Sequence, residues 1–374
     1  MISKQDLERI LQRDASGKPI LSVFLDMSVN SDNKRTHNVF LAQRKSQIDE
    51  LDSSGRGSHP DAIAEAFGRV EGWLSTGFGE ENRGVAIYTE IGGDWFEALQ
   101  FPVAVPNRLV IDERPLIGPL AQVIESYHHH GVILLDREHV RILSVYLGTL
   151  LDEIEVRKEP IPTPSDVQAG GYSQKRFQKR KAEEMRHFFK DFAKEVDDFV
   201  KRHRPHDLVV LGTEENVAKF REFLPEPLQA MIVHTGAMWV DEPAAQVVAG
   251  IEPHLEAERE RESREMLQIL RERVQQDYLA TAGFQSTLSA LQEGKVDTLV
   301  IAEDQDRDGA RCTQCGFVFA REVETCPYDG AKTTPGVNVV EEAIRMAEAQ
   351  GAEVEFVPAA AVEDLRGVGA LLRF

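Results

Sequence analysis

The chain has 374 residues, room for two or three domains with separate cores, and its 42% hydrophobic and 28% charged content is that of an ordinary globular protein. Its formal net charge of -20 argues against general DNA coating, because such a field repels phosphate, so any nucleic-acid contact must come from a local basic island. The longest apolar runs, such as GVILLD, are strand-sized and too short to cross a bilayer, and the opening MISKQDLERILQRD lacks the apolar core of a signal peptide. Only three cysteines occur, all between residues 312 and 326, which fits a reducing compartment better than a disulfide framework. A cytoplasmic protein without membrane or DNA partners is expected.

In chain order, ILSVFLDMSV (20–29) reads as a buried strand, and a polar turn, NSDNKRT, leads into an amphipathic helix in VFLAQRKSQIDEL. The tract SSGRGSHPD (53–61) is a loop, followed by a helix near 61–76, the strand RGVAIYTE and extended segments to about residue 112. Residues 1–112 therefore predict an α/β domain. The next segment opens with a helix in PLIGPLAQVIESYHH, and GVILLDREHVRILSV then predicts a hairpin about an Asp-Arg-Glu-His turn. KEPIPTPSDVQAGGY, with three prolines and two glycines, reads as an extended exposed loop. A long helix follows, with Phe189, Phe192, Val196, Phe199 and Val200 at three- and four-residue intervals on one stripe. HDLVVLGTEENVAKFREFL gives strand, capped turn and helix, so 113–250 predicts a middle domain with a parallel α/β core. A highly charged helix over 253–277 is expected to open a third α/β domain, 251–374, with a helix at 284–293, the strand TLVIAED, a helix at 338–350, the strand EVEFVP and the closing strand ALLRF.

Into this third domain is set CTQCGFVFAREVETCPYDG, with two knuckle-like turns, Cys312-x-x-Cys315-Gly316 and Cys326-x-x-Asp329-Gly330. Each tight turn can present two ligands, and its glycine relieves a crowded backbone, as in zinc ribbons. Aspartate ligates zinc through oxygen, so Cys312, Cys315, Cys326 and Asp329 are the candidate ligands of a closed, structural Zn2+ site in an insert over 310–332. The alternative is a knuckle that retains three inert thiols and no metal.

The densest basic island is AGGYSQKRFQKRKAEEMRHFF, residues 169–189. Gly170 and Gly171 allow backbone geometry closed to other residues, so an exposed amide can approach a substrate. Lys175, Arg176, Lys179 and Arg180 can hold phosphates; equally, such a run can be a solvated helix face.

The order of residues in this stretch resembles the catalytic loop of the archaeal and eukaryotic class-one peptide release factors, Gly-Gly-Gln-Ser-x-x-Arg-Phe. Gly170, Gly171, Ser173, Arg176 and Phe177 match it. SALQEGKVDTLVIAED and the ending RGVGALLRF look like that family's carboxy-terminal domain, whose archaeal members carry a zinc-ribbon insertion at the corresponding place. GVILLDREHVRILSV looks like the bacterial branch, which includes ribosome hibernation factors. The resemblance implies a three-domain α/β architecture with a decoding-site-like first domain. It also implies a ribosome-binding translation factor that occupies the aminoacyl site, in hibernation or rescue, and contacts ribosomal RNA and the tRNA acceptor end. A translational GTPase is a further candidate partner.

Two departures qualify what it implies. Tyr172 stands where the family has the glutamine that helps place hydrolytic water at the ester of peptidyl-tRNA. The family's Asn-Ile-Lys-Ser codon-reading loop has no clear copy; the nearest is Asn33, Lys34 and Arg35, with Lys34 and Arg35 as candidate RNA contacts. The alternative activity is peptidyl-tRNA hydrolysis, with Gly170, Gly171 and the Tyr172 backbone amide orienting water. His128-His129-His130 can ligate a metal, but a helix-end cluster that meets the helix dipole is the preferred reading. Trp73, Trp95 and Trp239 lack the spacing of a stacking platform and are expected to pack. Neither a phosphate-cradling P-loop nor a Ser-His-Asp signature is present.

Overall fold

A computed structural model describes residues 4–15, 17–29, 34–53, 60–157 and 171–374. The fold is mixed α/β, and its residues group into two compact units, 1–126 with 262–374, and 127–261. No described helix is long and apolar enough to cross a membrane.

The first unit holds an antiparallel sheet in the order Phe96–Phe101, Gly84–Glu90, Ile20–Asp26, Arg108–Asp112. Successive side chains of a strand point to opposite faces. Leu21, Val23 and Leu25 accordingly meet Phe67 and Val70 of the helix Pro60–Thr76 and Leu41 of the helix His37–Ser53. Ser22, on the opposite face, accepts a hydrogen bond from the Leu116 amide at 3.0 Å, and the Tyr88 hydroxyl donates to the Leu116 carbonyl at 2.9 Å. The strand is thus buried on both sides, which explains why apolar residues occupy both of its faces and why its one interior polar residue, Ser22, is hydrogen-bonded.

The same unit contains a sheet ordered Ala280–Ala282, Val368–Leu372, Val296–Ala302, Glu353–Val357. Its last two strands are parallel, and the helix Val339–Ala349 lies between them in the chain. A small antiparallel sheet, Val318–Phe319, Asp308–Cys312 and Thr333–Asn338, carries the cysteine insert. The helix Gly118–Ser126, expected to open the middle domain, belongs to this unit by its packing. The half-buried Glu341 carboxylate accepts from the backbone amides of Ile117 at 3.0 Å and of Gly118 at 3.0 and 3.1 Å. It thereby satisfies two of the orphan donors at that helix start. Arg345 donates to the Pro115 carbonyl at 2.6 Å.

The second unit is a five-stranded sheet ordered Thr149–Arg157, His139–Tyr146, His130–Leu135, Asp207–Gly212, Ile232–Gly236. The expected hairpin is its antiparallel half, and the last three strands are parallel. Alternation divides the central strand. Ile133 and Leu135 pack with Phe189, Phe192, Val196 and Phe199 of the helix Gly171–His203, whereas Val132 and Leu134 pack with Val247 and Ile251 on the other face. Thr213 caps the next helix, Glu214–Arg221, accepting from the Asn216 amide at 3.3 Å.

The charged helix differs from expectation. It begins at Ala244, before Pro253, and runs to Gln275. An interior proline costs about 3 kcal/mol. Val247, Ile251 and Leu255 recur at four-residue spacing across it, and that packed stripe holds the helix together. Leu267 and Leu270, further along, pack within the first unit against Val300 and Val357.

Candidate functional site

The cysteine insert is built from two copies of one turn. Ala310 and Arg311 pair with Phe319 and Val318, so the chain must reverse between Cys312 and Phe317. It does so with Gly316 at φ 74°, its amide donating to the Cys312 carbonyl at 3.1 Å. The second turn repeats this: Gly330 has φ 73°, and its amide donates to the Cys326 carbonyl at 2.9 Å. A side chain is strained at such φ values, so glycine follows each turn for a backbone reason. The Cys312 sulfur accepts from the amides of Gln314 and Cys315, both at 3.4 Å, a pattern that favours thiolate.

The turns bring all four expected ligands together, their donor atoms within 4.8 Å of one another. Cys315 Sγ lies 3.7 Å from Cys326 Sγ, and Cys312 Sγ lies 3.3 and 3.4 Å from the two Asp329 oxygens. A tetrahedral zinc with bonds of about 2.3 Å to sulfur and 2.0 Å to oxygen has edges of about 3.8 Å between sulfurs and 3.5 Å from sulfur to oxygen. The donor set and spacing therefore fit zinc. The Ala331 amide, first, and then the three thiols hold the Asp329 carboxyl down at about 2, so it is an anionic donor at neutral pH. Cys312 and Cys326 are buried with Phe319 against Phe317, and the Tyr328 ring meets Phe317 at a tilt with centroids 4.6 Å apart.

Of the loop residues, Gly170 lies outside the described residues. Gly171 and Tyr172 begin the helix Gly171–His203, and Lys175, Arg176, Lys179 and Arg180 follow on its backbone, with Lys179 exposed. Positions 175, 176, 179 and 180 fall within an arc of about 140° at 3.6 residues per turn. In the first unit Lys34 is exposed, whereas Arg35 is half-buried. Arg35 Nε donates to the Met27 carbonyl at 3.0 Å, and its guanidinium lies 5.1 Å over the Phe78 ring.

A second cluster was half-legible. The helix expected to carry the histidine run ends at Ser126, and His130 starts a strand. His130 pairs with Asp207 in parallel register, and the His206 amide donates to the His129 carbonyl at 2.7 Å. That register brings His128 beside His206, ring centroids 4.0 Å apart. His206 Nδ1 is 3.0 Å and His130 Nδ1 3.4 Å from the Asp207 carboxylate. Burial first, then His206, lowers His128 to about 4. Burial raises Asp207, but the contacts with His130 and His206 outweigh it and hold the carboxyl well below its ordinary range. The packing expected of the tryptophans holds for two. Trp95 stacks on Tyr88 at 6.2 Å and Trp73 meets Phe96 at 6.4 Å. Trp239 is instead 82% exposed, because it sits in a loop whose neighbours Met238 and Val240 turn inward.

Comparison with known proteins agrees with the motifs. Residues 115–259 match the model of bacterial archaeo-eukaryotic release factor family 10, and residues 260–374 match eRF1 domain 3. Peptide chain release factor subunit 1 of Pyrococcus abyssi is 24% identical over 297 residues, 70% of each chain; that of Archaeoglobus fulgidus is 24% identical over 313 residues, 74% of each. Among solved structures, S. cerevisiae Dom34 is similar at 8% identity and a TM-score of 0.42, over 75% of this chain and 73% of that one. Archaeoglobus fulgidus Pelota is similar at 16% identity and a TM-score of 0.33, over 78% and 79%. From residue 115 to its last residue the chain is matched by release-factor models, and it is a bacterial archaeo-eukaryotic release-factor-like protein.

Proposed function

We propose that this protein is a cytoplasmic, ribosome-binding translation factor that occupies the aminoacyl site in hibernation or rescue. The observation that carries the reading is the basic start of the helix Gly171–His203 in a chain of net charge -20 that matches release-factor models. Lys175, Arg176, Lys179 and Arg180 would contact phosphates of ribosomal RNA or of the tRNA acceptor end, with Lys34 and Arg35 as a second contact and a translational GTPase as a further partner. Three domains, 1–112, 113–250 and 251–374, are the functional division that accompanies this reading.

Tyr172 favours binding over hydrolysis. A phenol has its pKa near 10 and is a poor base at neutral pH, so Tyr172 would stack or plug rather than activate water. The second reading, peptidyl-tRNA hydrolysis, is favoured by the backbone: Gly170, Gly171 and the Tyr172 amide could still orient water against the ester carbonyl.

The test combines ribosome co-sedimentation with release of peptide from peptidyl-tRNA. Wild type should sediment with ribosomes and release little peptide, and Tyr172→Gln should leave binding intact. Replacing any one of the four phosphate-binding side chains by alanine should lower the salt slope of binding by about one unit. Unchanged binding after charge reversal at Arg176 and Arg180 would make the basic run a solvated face. Efficient release by wild type would establish the hydrolase reading instead.

Zinc would be held by Cys312, Cys315, Cys326 and Asp329. With four protein donors it would join the two turns and leave no position for substrate, a structural role. Elemental analysis of protein purified without chelators should find zinc; its absence would return the insert to a knuckle of free thiols.

A further inference from the structure

We propose that His128, His206 and Asp207 form a second divalent-metal site, in the unit formed by residues 127–261 and distinct from the cysteine insert. The geometry starts from strand register. His130 and Asp207 are paired residues at the first positions of neighbouring parallel strands, and His128 and His206 lie just ahead of them. Two separate pieces of chain, Tyr-His-His-His and Pro-His-Asp, therefore bring donor atoms of three side chains within 4.8 Å of one another.

The distances suit an ion of the zinc class. Bonds of about 2.0–2.2 Å to imidazole nitrogen and carboxylate oxygen give tetrahedral edges of about 3.3–3.6 Å. His206 Nδ1 and Asp207 Oδ1 stand at 3.0 Å, slightly inside such an edge, and all three donors lie within 4.8 Å, so small side-chain rotations would bring them to it. Two imidazoles and one carboxylate select zinc, cobalt or nickel over calcium or magnesium, which prefer oxygen.

The surroundings supply what such a site needs beyond its ligands. His130 Nδ1 is buried 3.4 Å from Asp207 Oδ2, an ion-pair contact on the carboxylate oxygen that His206 does not touch, so it stands in the second layer around the ligands. The electrostatic neighbours from the helix Ala244–Gln275 are opposite in sign: Arg259 acts on His128 and Glu258 on Asp207. His206 is 53% exposed and Asp207 13% exposed, which gives the ion a way in from solvent. Three protein donors leave a coordination position for water, the arrangement of an open rather than a closed site.

The test uses full-length protein stripped by chelator and titrated with Zn2+ while imidazole nitrogen resonances are followed. Cobalt–thiolate absorption reports the cysteine insert separately. His128 and His206 should shift together at micromolar zinc. His206→Ala should remove one bound equivalent and abolish the His128 shift, leaving the thiolate band unchanged. His130→Ala should weaken binding by about 10- to 100-fold. If His206→Ala fails to fold, Asp207→Asn, which keeps the volume, gives the same readout. Zinc that leaves both imidazoles unmoved, or moves His206 alone, overturns the site and leaves an acid–base pair of His206 and Asp207. These outcomes are independent of whether the protein binds ribosomes.

Discussion

The cysteine insert and the histidine cluster each bring their donor atoms within 4.8 Å of one another, by opposite routes. In the insert, candidate ligands come in pairs three residues apart, and each pair is set by one tight turn with glycine at positive φ. In the histidine cluster, donors 78 and 79 positions from His128 (206 − 128 and 207 − 128) meet only because two strands pair in parallel at one register. A local turn carries its chemistry within it, whereas a cluster made by register depends on a whole sheet and on the helix packed against it.

That difference predicts different failures. The largest effect should follow Cys326→Ala. If zinc joins the two turns, removing a ligand should open residues 308–338, since apparent binding energies of structural zinc are about 10–16 kcal/mol in small peptides. Hydrogen exchange should show the lost protection confined to the insert, with Asp207–Gly212 still protected. Next, Phe199→Ala removes a buried ring that packs against the sheet and stacks on His203 at 4.7 Å. It should cost about 3–5 kcal/mol by denaturant unfolding and disturb the histidines, with the thiols unaffected.

A smaller effect is expected at Glu341, whose contact with the Ile117 and Gly118 amides is also made only by tertiary structure. Glu341→Ala should cost about 1–3 kcal/mol by leaving buried amides unpaired. Burial raises the Glu341 pKa, with the two amides opposing. The folded state therefore binds the proton more tightly. This stabilisation is full below the ordinary glutamate range and is lost as pH rises through the raised value. Glu341→Gln should flatten that slope in a melting-temperature profile against pH. The smallest change is Asp329→Cys, which should leave the fold intact, tighten zinc binding, and show the turn to be indifferent to its fourth donor.

The metal candidates of the insert were legible because spacing and glycine positions both lie within nineteen consecutive residues, 312–330. The hairpin turn after Leu135 and the cap at Thr213 were legible for the same reason. The start of the charged helix was misread at Pro253, since local propensity marks proline as a boundary and cannot register the Val247, Ile251 and Leu255 stripe that holds both sides. His206 and Asp207 carried only a weak signal, a His-Asp pair before an apolar strand. Trp239 was misread because apolarity alone does not tell which loop side chain faces solvent.

From the sequence by itself came the α/β class, the family, the convergence of the four knuckle residues and the basic helix start, all properties of residues close together in the chain. Tertiary structure alone decided that the helix Gly118–Ser126 belongs with residues 262–374, that Glu341 caps it, and that His128 meets His206 and Asp207. Those outcomes depend on which strands pair, in which register, and on which buried amide lacks a partner. They are settled by hydrophobic burial and hydrogen-bond satisfaction over the whole unit, which no short window of sequence contains.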